Sequence, residues 1–160
     1  MVQHADIDHS GVDGVGGVGN AWGMSKTASQ TLTSNADTAI TFDRTDVDGG
    51  GSVVDLANDR FVIPATGFYL VICHWLWETT VPIAGGRVQA AVGGTATTPQ
   101  GRPQAATNGA NGSISTATVL SLTAGAFVTM VIHPGGAVTP TARGNASLNL
   151  STALQLIRIT

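Results

Sequence analysis

Residues 68–77, FYLVICHWLW, constrain the fold more than any other part of the chain. They are aromatic or branched almost throughout and lack a helical repeat of apolar positions, so they read as a β-strand. Side chains of a strand alternate between two faces. Tyr69, Val71, Cys73 and Trp75 fall on one face, and Phe68, Leu70, Ile72, His74 and Leu76 on the other. Both faces are apolar, so both are expected to be covered. A two-sheet sandwich covers one of them with its own second sheet. The other needs a further cover: a second subunit, a loop or the N-terminal segment.

The rest of the chain supplies strands and turns at intervals suited to such a sandwich. Strand-like segments are expected at 30–32, 39–42, 60–63, 87–92, 113–122 and 127–133, with one or two terminal strands within 146–159. Turns or loops are expected at 48–51 (DGGG), 78–86, 95–112, 124–125 and 134–145. No internal repeat marks a solenoid. Residues 1–23 differ in texture: six glycines and almost no large apolar residue before Trp22. Such a stretch does not bury enough surface to fold alone. The expected organisation is therefore an arm, 1–23, followed by a head, 24–160.

Composition narrows the function classes. Only 11% of residues are charged, and Lys26 is the single lysine, against a usual charged share of about 25%. Surface charge normally blunts sheet edges and keeps chains apart. A chain without it is expected to cover much of its surface with partners. The net charge of −3 and the scattered arginines offer no basic stripe for nucleic acid. No run of 18 or more apolar residues suggests a membrane helix. The first residues lack the pattern of a signal peptide, and Met1 leads us to expect a whole gene product. Cys73 is the only cysteine, which excludes an intrachain disulfide and points to a small buried hydrophobe.

Phe42, Asp48, Val54, Phe61, Gly67 and Tyr69 form a spaced set; 120–126, LSLTAGA, precede the penultimate strands, and 154–159 form the last one. This pattern resembles the signature of the C1q/TNF-like jelly rolls and covers about residues 26–160. The resemblance implies an all-β jelly-roll sandwich of two antiparallel sheets, homotrimeric, with an extended N-terminal arm. It implies a binding protein and not an enzyme. It places Leu70, Ile72 and His74 on the three-fold axis, and Phe42, Phe61, Tyr69, Val71 and Cys73 in the core of each protomer. His74 would then meet its two copies, either as a pH-sensitive contact or as a neutral, hydrogen-bonded imidazole.

No catalytic residues are expected: the four histidines are scattered, Glu78 has no carboxylate partner, and no serine sits in a nucleophile elbow. No cofactor is expected either. A transition metal would find His4 and His9, with Asp6 and Asp8, near a trimer axis, but without a fixed scaffold. Calcium would find Asp43, Asp46, Asp48, Asp55 and Asp59, without the EF-hand spacing. The arm residues His4, Asp6, Asp8, His9 and Trp22 are better read as docking contacts, Trp22 anchoring the arm where it meets the head. A short Gly-rich arm before a trimerising head suggests a bacteriophage capsid decoration protein or short head fibre on the virion exterior. Its partners would be itself and the major capsid protein. The alternatives are the receptor-binding tip of a tail fibre, its loops recognising a host surface glycan or protein, and a secreted C1q-like adhesive protein.

Overall fold

The computed structural model of the chain describes residues 20–78, 86–96, 111–136, 139–146 and 151–159. Among these residues, seven strands form one sheet: β1 (Ala21–Ser25), β2 (Gln30–Thr31), β4 (Arg44–Asp48), β7 (Gly67–Glu78), β10 (Asn111–Leu122), β12 (Thr141–Ala142) and β13 (Ala153–Arg158). Six form the other: β3 (Thr38–Ala39), β5 (Val54–Asp55), β6 (Arg60–Val62), β8 (Gly86–Val92), β9 (Thr95–Ala96) and β11 (Phe127–Pro134). Neighbouring strands are antiparallel throughout.

β7 organises the larger sheet. One edge pairs with β10 along its whole length, from Gly67 opposite Leu122 to Glu78 opposite Asn111. The other edge is shared: β13 pairs from Tyr69 to His74, and β12 pairs at Trp77 and Glu78. Beyond β13 the sheet continues through β1 to β4, and beyond β12 to β2. β11 has the same role in the smaller sheet, with β8 on one edge and β6 and β3 sharing the other. The β7–β10 pair is long because its residues are mostly β-branched, aromatic, leucine or small, without an internal proline to interrupt the ladder.

The core lies between the sheets. Tyr69, Val71, Cys73 and Trp75 of β7 are essentially inaccessible, as are Met24, Leu154 and Leu156 beside them, and Phe61, Val128, Met130 and Ile132 opposite. Phe42 is buried in the same cluster. Burying each large side chain stabilises the fold by about 1.5–3 kcal/mol relative to exposure. The Tyr69 hydroxyl donates to the Ala65 carbonyl at 2.6 Å, so its polar end is satisfied at the core margin. Lys26 is also buried. Its ammonium donates to the Thr41 carbonyl at 2.6 Å and to the Thr41 hydroxyl at 2.9 Å. Burial holds its pKa below the usual lysine value, opposed by the charges of Asp43 and Asp59. Gly144 passes directly over Ala28, and a Cβ at that position would run into the Ala28 backbone; only glycine permits this approach.

The N-terminal boundary corrects the expectation from sequence. Residues 21–23 belong to the head, because β1 pairs with β13 on one side and β4 on the other. Trp22 is only 3% exposed, and its indole N–H donates to the Gly50 carbonyl at 2.9 Å. A tryptophan so placed is a core residue of the head. Burial of Trp22 and Met24 outweighs the weak strand propensity of the glycine between them. His4, Asp6, Asp8 and His9 lie outside the described residues. β4, RTDVD, is a strand that its polar composition does not suggest. β9 takes residues 95–96 and β10 begins at 111, within the loop expected at 95–112; residues 97–110 lie outside the described part.

Candidate functional site

The outer face of the larger sheet is the most distinctive surface among the described residues. Leu70, Ile72, His74 and Leu76 of β7 are half-buried in the single chain, held between flanking strands. Val119, Ala117, Ser115 and Ser113 of β10 stand beside them in that order. On the other edge, Ile157, Gln155 and Ala153 of β13 stand beside Leu70, Ile72 and His74. Phe68 is 52% exposed, Val119 56% and Ile159 52%. Alternation places residues 68–76, 113–121 and 153–157 of matching parity on this face, and none carries a formal charge. A wide, charge-free apolar face is what sheet proteins avoid unless something covers it.

His74 sits near the middle of this face. Its Nδ1 lies 2.7 Å from the Ser115 Oγ. Burial lowers its pKa from 6.5, favouring the neutral imidazole. This serine–histidine contact lacks the other requirements of a nucleophilic site. Among the described residues, the imidazole that pairs with a carboxylate is His133 and not His74.

The aspartates considered for calcium do not converge. Asp43 accepts from the Thr27 and Ala28 amides at 2.5 and 3.1 Å. Burial alone would raise its pKa, but these hydrogen bonds and the Lys26 charge hold it below the usual value. Asp46 accepts from Arg44 Nε at 2.7 Å and the Ser25 hydroxyl at 2.9 Å. Asp48 accepts from the Gly50 amide at 2.9 Å. Asp55 accepts from Arg60 Nε at 2.8 Å; its hydrogen bonds from Asn58 and Arg60 lower its pKa. Asp59 accepts from the Phe42 amide at 2.6 Å. Each carboxylate fixes a local turn or strand end. Among the described residues, no group of three or more His, Cys, Asp or Glu is placed to hold a metal ion. Cys73 is buried, and burial pushes its thiol up to about 12, which leaves it without thiolate character.

Two features were not visible in the sequence. A depression of about 200 Å³ opens on the outer face of the larger sheet, lined by Ala21, Trp22, Val47, Gln155 and Ile157. It depends on β1 and β4, neither of which announces itself as a strand. On the smaller sheet, Asp37 Oδ1 lies 2.6 Å from Arg87 Nη2 and 2.9 Å from His133 Nδ1. These residues are 50 and 96 positions apart, so only the β3–β11–β8 pairing brings them together.

Two antiparallel sheets, a long central β7–β10 pair and a shared apolar core define the class: the fold is a C1q/TNF-like jelly-roll sandwich. Solved structures similar to the chain are of that kind. The globular domain of zebrafish complement 1qA protein superposes with a TM-score of 0.61 at 11% identity, over 88% of this chain and 98% of that one. Murine APRIL gives 0.62 at 16% identity, over 88% and 98%. Eiger TNF from S. frugiperda gives 0.59 at 11% identity, over 88% and 92%. No family model matches the sequence, and no curated protein matches it. At these identities the likeness is one of fold.

Proposed function

We propose that the chain is a non-catalytic, self-associating binding module, a homotrimer whose protomers meet through the outer face of the larger sheet. The observation that carries this reading is the charge-free face around Leu70, Ile72 and His74, with Phe68, Val119 and Ile159 each more than half exposed in the single chain. The five strands β10, β7, β13, β1 and β4, of 12, 12, 6, 5 and 5 residues, present on the order of 600 Å² of sheet at about 3.3 Å per residue and about 4.8 Å spacing. That approaches one partner's share of a standard interface, about 800 Å². Partner copies would remove this surface from water, which is the main favourable term in association.

Within that reading, the proposed role is structural: a decoration protein or short head fibre on a bacteriophage capsid exterior. The head would be displayed outward, and the Gly-rich N-terminal residues would dock on the major capsid protein. The low charged fraction and the glycines before residue 20 support it. Three arms on one trimer would raise the avidity of individually weak contacts. The test compares the full chain with a chain starting at residue 20, which keeps β1 and Trp22 intact. Both are expected to have trimer native mass, and only the full chain to co-sediment with capsids. A monomeric full chain would sink the self-association reading. Equal capsid occupancy by both chains would sink the docking role of residues 1–19.

A further inference from the structure

We draw no further inference here: the strongest candidate, the Asp37–Arg87–His133 cluster on the outer face of the smaller sheet with the buried Gln89 carboxamide oxygen two residues along β8, carries none, because its three side chains engage one another and nothing among the described residues shows what the Gln89 oxygen meets.

Discussion

The outer face of the smaller sheet and that of the larger sheet over β7, β10 and β13 are built on opposite rules, while the β4 edge of the larger sheet keeps the Arg44–Asp46 pair. The smaller sheet carries its charges outward, in pairs: Asp55 with Arg60, and Asp37 with Arg87 and His133. Arg60 also lies 5.2 Å over the ring of Phe127, covering an aromatic that would otherwise meet water. The larger sheet has no such dressing over β7, β10 and β13, and leaves Phe68, Val119 and Ile159 open. Both faces belong to one chain of low charge, so composition alone does not separate them. The distribution does: the few charged residues on the sheets stand where a sheet meets solvent. The bare face is the one that the proposed self-association would cover.

The largest effect should come from reversing this rule. Ile72→Glu puts a carboxylate in the middle of the bare face, where a covering copy would have to desolvate it. Association is expected to weaken more than 100-fold, about 2.7 kcal/mol. Thr129→Glu, on the outer side of β11, is expected to leave it unchanged. Native mass across a dilution series reads both, with circular dichroism confirming that each variant folds. Equal loss in the two variants would erase the distinction between the faces.

This contrast was half legible in the sequence. The period-two pattern of residues 68–77 identified β7 and its two apolar faces, because alternation is a local signal. The structure puts Tyr69, Val71, Cys73 and Trp75 in the core, along with Phe42 and Phe61. β1 and β4 were not legible. AWGMS follows a glycine-rich run, and RTDVD has the composition of a loop; each becomes a strand only because the other, with β13, supplies its hydrogen bonds. The depression lined by Ala21, Trp22, Val47, Gln155 and Ile157 therefore had no sequence signature. The Asp37–Arg87–His133 cluster was hidden for a related reason, since long-range pairing and not spacing assembles it. The roles of the aspartates of 43–59 were not legible either: each is engaged separately by a nearby amide or arginine.

The next effect sharpens the comparison through pH. His74 is the titratable group on the described part of the bare face, between Ser115 and Ala153. Its folded pKa is lowered from 6.5 by burial. Between that lowered value and 6.5 the unfolded chain binds a proton that the folded chain does not. Stability from this group is therefore intact above 6.5, falls as pH drops through the window, and levels off below the folded pKa. Chemical denaturation of the wild type and His74→Gln at a series of pH values measures it. The variant is expected to show a flatter acid limb, and parallel limbs would remove His74 from the account.

The smallest effect belongs to the dressed face. Asp37→Asn removes the carboxylate that Arg87 and His133 share. Asp37 is half exposed, so its ion pair with Arg87 is screened and its loss should cost no more than about 1 kcal/mol. The deficit should shrink further as salt is raised, since a Debye length falls to about 3 Å at 1 M. Association should not change, because this cluster faces away from β7. Denaturant midpoints at low and high salt, with native mass in parallel, test all three points. A loss of assembly in Asp37→Asn would mean that the charged face also meets a partner, and that charge on this chain marks something other than exposure to water.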